Sequence, residues 1–222
     1  MQDNPKENIV KSPAANAVAP AKRKKPRATT AAHDDRRIEI IEHCAALFDK
    51  IGYHGTSMQM LADDVGLGKP SLYHYFRSKT DILYEMHQTH IDALIEGLPA
   101  GDGADADPAQ ALEKAALLTL RQIADHPGYV SAFMDHYREL EGKQRTEMRK
   151  RRREYLARIT NIVKSGIEAR KFRNVDPDLA TLAFLGMCTW AYKWYPRIAA
   201  ENPPEKMAKA LCDIFLGGLL RA

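Results

Sequence analysis

The sequence GLGKPSLYHYFRSKTDIL, from Gly66 to Leu83, decides how the first part of the chain folds. It places Ser, Tyr, His, Lys and Arg in close succession between two predicted helices, and its first acidic residue is Asp81. Gly66 is the expected left-handed stop of one helix, and Pro70 suits the first turn of the next, where its missing N–H is not needed. Ser78 with Asp81 has the spacing of a helix cap and predicts a further helix. The stretch therefore predicts a short helix held between two turns.

The two sides of this short helix differ in chemistry. An advance of about 100° per residue places an apolar group on one side, namely Leu72, Tyr75 and Phe76. The opposite side is polar and aromatic without any acid, and holds Pro70, Ser71, Tyr73, His74 and Arg77. Such a surface suits the major groove of DNA, where side chains meet base edges and phosphates together. A small structural helix whose tyrosines only pack is the alternative.

Two helices precede this one in the predicted arrangement. Apolar residues recur at three- and four-residue steps from Ile38 to Ile51 and predict a first helix that stops at Gly52. Thr56 followed by Gln59 has capping-box spacing and predicts the start of a second helix. Because a glycine turn joins the second and third helices, the three together predict a helix-turn-helix.

With these elements placed, the segment resembles the N-terminal signature of TetR-family transcriptional repressors. The resemblance is dense over residues 36–83 and rests on Gly52, Thr56-Ser57, Leu61-Ala62, Val65-Gly66, Leu72-Tyr73-His74-Tyr75-Phe76 and Ser78-Lys79. It implies an all-α homodimer with an N-terminal DNA-binding domain and a C-terminal domain for ligand binding and dimerisation. It also implies contacts to operator DNA from Thr56, Gln59, Lys69, Pro70, Ser71, Tyr73, His74 and Lys79. Two departures from the pattern are Gly68, where a capping Ser or Thr is common, and Pro70, where Gly is common.

Two lysines flank the short helix. Lys69 lies at its start and Lys79 in the first turn of the next helix, so we expect both to clamp DNA phosphates. The backbone N–H groups at the start of that next helix are expected to add a phosphate contact.

The first 35 residues have a different composition from the rest. They are rich in Ala, Pro and Lys without apolar periodicity, so we predict a disordered arm and a folded part that begins near Arg36. The arm carries a basic cluster that can neutralise phosphates of nucleic acid, made of Lys22, Arg23, Lys24, Lys25 and Arg27. A solvated tail without a partner is the alternative.

The remainder of the chain is predicted to be helical as well. A fourth helix opens at Ser78, and a loop follows it at 101–108 (GDGADADP). Breakers such as HPG and NPP then separate five more helical segments, which are 109–125, 128–140, 144–171, 177–199 and 204–220. No segment shows sustained strand alternation. The prediction is an all-α fold of about nine helices, with a DNA-binding domain at 36–82 and a ligand-binding and dimerisation domain at 83–222.

The last helix is the expected dimer surface. It has an apolar face made of Leu211, Ile214, Phe215, Gly218 and Leu219. One helix-turn-helix reads only a few base pairs, so specific binding normally needs two copies. We predict a homodimer through the last two helices, although this face could instead close the core of a single chain.

The segment 177–199 combines aromatic rings with positive charge. Trp190, Lys193, Trp194 and Arg197 recur at three- and four-residue steps, which on a continuous helix suits an apolar ligand with an anionic end. Core packing of these rings is the alternative. The segment 166–197 also resembles TetR-family members that respond to acyl-coenzyme A thioesters, with Arg170 where such sequences often have Gly. We expect an acyl-CoA or another lipid-like acid as effector, contacted by Phe133, Tyr137, Met187, Trp190, Lys193, Trp194 and Arg197.

Two further clusters have open interpretations. Within RKRRR at 149–153, Arg149, Arg152 and Arg153 approximate one helix face with Arg145, either as a solvated surface or as a site for ligand phosphates. His87 and His90 are one turn apart, but no cysteine or acidic cluster accompanies them. We therefore expect no metal site and treat both as surface or pocket residues.

Several classes of protein are disfavoured. The longest uncharged apolar run, Leu179 to Tyr192, is shorter than the roughly 20 residues of a bilayer span, and the N-terminus lacks a secretory signal, so we expect a cytoplasmic protein. The three cysteines are far apart and predict no disulfide. No G-x-S-x-G, phosphate-binding loop or metal-ligand spacing is present, so we expect neither an enzyme nor a cofactor.

The leading prediction is a sequence-specific repressor that a small lipid-like effector releases from its operator. A nonspecific DNA-packaging protein and, less favoured, an all-α enzyme are the alternatives.

Overall fold

A computed structural model of the chain describes Met1 and residues 28–98 and 107–219, with side chains from His33 onward. Nine α-helices and three 3-10 turns occupy these ranges and no β-strand is found there, which confirms the predicted all-α class. The α-helices are α1 (Ala28–Ile51), α2 (Met58–Asp64), α3 (Lys69–Tyr75), α4 (Lys79–Gly97), α5 (Pro108–Asp125), α6 (Pro127–Asp135), α7 (Gly142–Glu168), α8 (Pro177–Trp190) and α9 (Pro204–Leu219). None of the helices in these ranges has the length and apolarity that crossing a bilayer requires.

The first helix begins earlier than predicted. Because α1 starts at Ala28, the expectation of disorder up to residue 35 is wrong for residues 28–35. The extra turns have tertiary contacts, since the His33 ring stacks on Tyr75 of α3 with centroids 4.8 Å apart. The basic cluster Lys22–Arg27 lies outside the described residues.

The first three helices pack as a helix-turn-helix around Ile40, Leu61 and Leu72, which are fully buried. Gly66 has a φ of +70° and ends α2 in the expected left-handed conformation. Ser57, not Thr56, caps α2, because the Ser57 hydroxyl accepts a hydrogen bond from the Met60 N–H at 3.2 Å. The predicted capping box of Thr56 and Gln59 is therefore wrong by one position.

A half-buried ion pair fixes the short helix α3 against its neighbours. Arg37 of α1 donates to the Glu85 carboxylate of α4 at 2.8 Å and to the Tyr75 carbonyl at the end of α3. Its guanidinium also lies 4.2 Å from the centre of the Phe76 ring. These contacts join α1, α3 and α4, so the exposed side of α3 is held in a defined orientation.

The C-terminal helices form a second unit that packs on the first. Helix α5 packs extensively on α9, and α7 lies between α4 and α8. Helix α6 contacts α1 at Gly128, where an added Cβ would lie 2.5 Å from the Ala45 carbonyl oxygen. Only glycine allows this approach, which brings the two units together.

The predicted helix over 177–199 is interrupted. Helix α8 ends at Trp190, and two 3-10 turns follow at Ala191–Lys193 and Tyr195–Arg197. Pro196 prevents a regular α-helix through Arg197, because it lacks an N–H group and disfavours a helical conformation at Tyr195. A continuous helix through Arg197 is therefore wrong.

Candidate nucleic-acid interface and ligand cavity

The predicted DNA-reading side of α3 is solvent-exposed. Lys69, Pro70, Ser71, Tyr73 and His74 are all exposed. On the opposite side Leu72 and Phe76 are buried. The predicted division of the helix into an exposed side and a buried side is thus confirmed. Contact of these residues with DNA remains a prediction.

The two predicted contacts before α3 differ in accessibility. Gln59 is exposed on α2, where its amide donates to the Asp63 carboxylate at 2.7 Å. Thr56 is buried, and its hydroxyl donates to the Gly52 carbonyl at 2.8 Å. A direct contact from the Thr56 side chain to DNA is therefore not supported, because that hydroxyl stabilises the turn before α2.

The Lys79 ammonium is hydrogen-bonded within the protein. Its Nζ donates to the Tyr53 carbonyl at 2.6 Å and to the Thr56 carbonyl at 2.7 Å, and it lies 4.2 Å from the centre of the Tyr53 ring. Burial lowers the pKa of Lys79. The expected phosphate clamp is not supported at Lys79, since this ammonium ties α4 to the turn that precedes α2. The Ser78 cap is confirmed, because its hydroxyl accepts from the Asp81 N–H at 3.1 Å.

A cavity of about 630 Å³ lies between α4, α5, α6, α7 and α8. Its walls are mostly apolar, and a few polar groups and three arginines interrupt them. The lining residues are His90, Ile91, Leu94, Thr119, Val130, Phe133, Met134, Tyr137, Arg149, Arg152, Arg153, Tyr155, Leu156, Leu182, Leu185, Gly186 and Thr189.

Only two of the seven predicted ligand contacts line this cavity, namely Phe133 and Tyr137. The other five are Met187, Trp190, Lys193, Trp194 and Arg197, and the cavity does not include them. The break of α8 displaces Lys193, Trp194 and Arg197, whereas Met187 and Trp190 lie on α8 itself, on a side that does not line the cavity. Trp190 is 61% exposed, and Lys193 pairs with Asp135 at 3.0 Å.

The arginines of α7 are the charged groups that the main interpretation of the sequence missed. Arg149 and Arg153 are exposed at the cavity, whereas Arg152 is half-buried. The Arg152 guanidinium lies 5.0 Å from the centre of the Phe133 ring and 4.5 Å from that of Tyr137. The signal was present as basic residues three and four positions apart, but spacing alone does not distinguish a cavity wall from a solvated face.

The predicted dimer surface is partly exposed. Ile214 and Gly218 of α9 are exposed, whereas Leu211 and Phe215 are half-buried and Leu219 is buried against the chain's own core. Helix α8 adds exposed apolar side chains at Leu179, Leu182 and Trp190. Leu219 therefore closes the core of the single chain, and dimerisation through the exposed residues of the last helix stays a prediction.

Comparison with known families agrees with this architecture. Residues 40–86 match the family model for bacterial regulatory proteins of the tetR family. Residues 105–219 match the model for the tetracyclin repressor-like C-terminal domain. The two matches fall on the helix-turn-helix and on the helices around the cavity.

Individual relatives cover most of the chain. The transcriptional repressor KstR2 of Mycobacterium tuberculosis H37Rv is 26% identical over 191 residues, which are 85% of this chain and 94% of the relative. The uncharacterised HTH-type transcriptional regulator YfiR of Bacillus subtilis is 30% identical over 171 residues, 73% of this chain and 80% of the relative.

Solved structures share the fold. PfmR, a TetR-family regulator of Thermus thermophilus, superposes with a TM-score of 0.72 at 33% identity and covers 82% of this chain and 99% of its own. AibR in complex with isovaleryl coenzyme A and operator DNA has a TM-score of 0.71 at 24% identity, with 81% and 97% coverage. These relatives are transcriptional regulators and not enzymes. The chain belongs to the TetR family of bacterial transcriptional regulators.

Proposed function

We propose that the chain is a homodimeric repressor that leaves its operator when a ligand with an apolar body and an anionic group, of the acyl-CoA class, enters the cavity. One observation carries the effector assignment: arginines border a cavity whose walls are otherwise mostly apolar. An acyl chain fits the apolar interior, and the phosphates of a coenzyme A moiety fit the arginines. The bound isovaleryl coenzyme A of the structural relative AibR supports this class.

The surroundings of Arg152 are evidence that the ligand carries an anionic group. Its neighbours on α7 have carboxylate partners, since Arg151 pairs with Asp92 at 3.2 Å and Arg158 with Glu154 at 2.9 Å. Arg152 has no carboxylate partner within the described residues. Burial lowers its pKa, because the guanidinium has lost water without gaining an opposite charge. A bound phosphate or carboxylate would supply that charge.

A polar group in the cavity wall suits a carbonyl oxygen of the ligand. Tyr155 is buried, and its hydroxyl has no hydrogen-bond partner among the described residues. Burial raises the pKa of Tyr155 to about 12, so the hydroxyl keeps its proton at neutral pH. The neighbouring Thr119 hydroxyl donates to the Ala115 carbonyl at 3.0 Å, and its oxygen lies close enough to Tyr155 to oppose part of this rise in pKa. A ligand oxygen that accepts from Tyr155 would satisfy a donor that is otherwise costly to bury.

Helix α4 offers the route from ligand to DNA. His90, Ile91 and Leu94 line the cavity, and the same helix begins at Lys79, beside α3. A ligand that favours a different position of α4 would change the spacing of two recognition helices. The ligand binds the operator-bound and the released arrangement with different affinities. The ratio of these two affinities sets the largest factor by which the ligand can lower operator affinity.

The exposed apolar side chains of α8 and α9 support the homodimer. Leu179, Leu182, Trp190 and Ile214 are each more than half exposed. A second copy packed on this surface would remove them from water and pair the two α3 helices, whose operator half-sites are about 34–36 Å apart. Replacing Ile214 with Lys should then yield monomers in light scattering, and a dimer that persists would contradict this surface.

The effector proposal is tested by titrating a panel of acyl-CoA thioesters and the matching free acids, with calorimetry for binding and fluorescence anisotropy for operator release. We expect a thioester to bind and release DNA, and Arg152→Gln to weaken thioester binding by about 10- to 100-fold, the range for a hydrogen bond to a charged group. Lys150→Gln is the matched control, because Lys150 is exposed on α7 outside the cavity. If no thioester binds, or if both variants lose the same amount of thioester affinity, the assignment is wrong.

A further inference from the structure

Two histidines and a glutamate meet where the DNA-binding unit contacts the C-terminal unit. His54 belongs to the turn between α1 and α2, His136 follows the last residue of α6, and Glu139 lies in the 3-10 turn after it. One ligand atom from each of the three residues lies within 4.8 Å of the others. This is the only such group of His, Cys, Asp or Glu within residues 28–98 and 107–219.

The distances among the three side chains suit a shared ligand. The His54 Nε2 lies 3.1 Å from a Glu139 carboxylate oxygen, and the rings of His54 and His136 are 5.7 Å apart at 80°. Tetrahedral ligands at about 2.0–2.1 Å from an ion are about 3.3 Å from one another. The first pair is close to this separation, and the ligand atom of His136 lies within 4.8 Å of both, so it would move inward when an ion binds.

We propose that His54, His136 and Glu139 bind a divalent transition-metal ion of the zinc class, with water completing the coordination. Two imidazoles and one carboxylate are a recurrent zinc donor set, and imidazole disfavours the hard ions Mg²⁺ and Ca²⁺.

The environment of His136 is compatible with metal binding. The carboxylates of Asp135 and Glu139 favour a cation here, whereas the nearby Lys79 ammonium opposes it. The Lys79 ammonium is engaged by the Tyr53 and Thr56 carbonyls, so its donors point to the backbone.

An ion at this position would connect the two units. The turn that carries His54 is already attached to α4 through Lys79, and the metal would attach it also to the segment between α6 and α7. The ion would therefore restrain the DNA-binding helices against the helices that surround the cavity. The proposal does not depend on the effector, because no cavity-lining residue is a ligand.

The test is calorimetric titration of the metal-free full-length protein with Zn²⁺, together with thermal unfolding with and without the ion. We expect one site per chain, a higher Tm with Zn²⁺, and no response to Mg²⁺. His54→Gln should weaken Zn²⁺ binding at least about tenfold and abolish the Tm shift, in keeping with the loss of a ligand. Because the His54 ring is exposed, this variant should fold normally.

His43→Gln is the matched control, since that imidazole is also exposed and lies beside a carboxylate, 3.4 Å from Asp64. The three cysteines do not compete, because all are buried and burial raises the pKa of each thiol. Glu139→Gln should repeat the loss seen with His54→Gln. No saturable Zn²⁺ binding, or unchanged binding in both cluster variants, would overturn the proposal.

Discussion

The recognition helix and the ligand cavity are built in different ways. The reading side of α3 belongs to seven consecutive residues, Lys69–Tyr75, whereas the cavity is lined from five helices between His90 and Thr189. The faces of a single helix follow from its periodicity, so the exposure of α3 was predictable. The cavity depends on how distant helices pack, and the residues chosen for it by pattern were mostly elsewhere. A surface that belongs to one helix can be predicted from the sequence of that helix, whereas a cavity shared by several helices cannot.

The largest expected effect separates the two sides of α3. Leu72→Ala removes a fully buried side chain from the helix-turn-helix and should lower the free energy of unfolding by about 2–5 kcal/mol, since it leaves a cavity. Tyr73→Ala, on the exposed side, should change it by about 0.5 kcal/mol or less. Urea denaturation measures both. Similar losses in the two variants would mean that α3 has no distinct reading side.

A pH titration probes the buried side of α4, next to the cavity. Burial lowers the pKa of His87 to about 3 and that of His90 to about 4, whereas a histidine in the unfolded chain titrates near pH 6.5. Stability should be complete above pH 6.5 and fall as the pH decreases toward 4, because the unfolded chain takes up protons that the folded chain cannot. The slope is about 1.4 kcal/mol per pH unit for each histidine.

Denaturation at pH 7, 6 and 5 measures this slope. His87→Leu should remove about one histidine's share of it, while His43→Gln, at an exposed position, should leave it unchanged. An unaltered slope in His87→Leu would contradict the buried neutral state of this ring.

The predicted contact of Tyr73 with base edges implies a selective loss of operator binding when this side chain is removed. Tyr73→Ala should weaken binding to operator DNA by about 1–3 kcal/mol, the usual range for a specific contact, and leave binding to unrelated DNA nearly unchanged. Fluorescence anisotropy with both DNAs, at one fixed salt concentration, makes the comparison. Equal weakening on both would assign Tyr73 to the phosphate backbone or to folding.

The smallest expected effect distinguishes two lysines. Lys79→Met should lower stability by about 1 kcal/mol, because it removes hydrogen bonds to Tyr53 and Thr56, and should leave the salt dependence of DNA binding unchanged. Lys69→Met should have the reverse result, with the slope of log K against log salt reduced by about 1. A reduced slope for Lys79→Met would restore the phosphate clamp that the sequence predicted.

The differences between sequence and structure have identifiable causes. The hydroxyls of Thr56 and Ser57 are equally able to cap a helix, and the choice between them depends on the preceding turn, where Thr56 bonds to Gly52. The role of Lys79 depends on carbonyls more than twenty residues earlier. A pattern within one helix does not contain such partners.

The sequence by itself determined the helices, the left-handed turn at Gly66 and the exposed and buried sides of α3, because these follow from backbone conformation and a 3.6-residue period. Tertiary structure alone decided that Arg152 borders a cavity and that His54 meets His136 and Glu139. Each of these depends on contacts between helices far apart in the chain. Side-chain spacing sets which faces a helix has, and packing decides what each face touches.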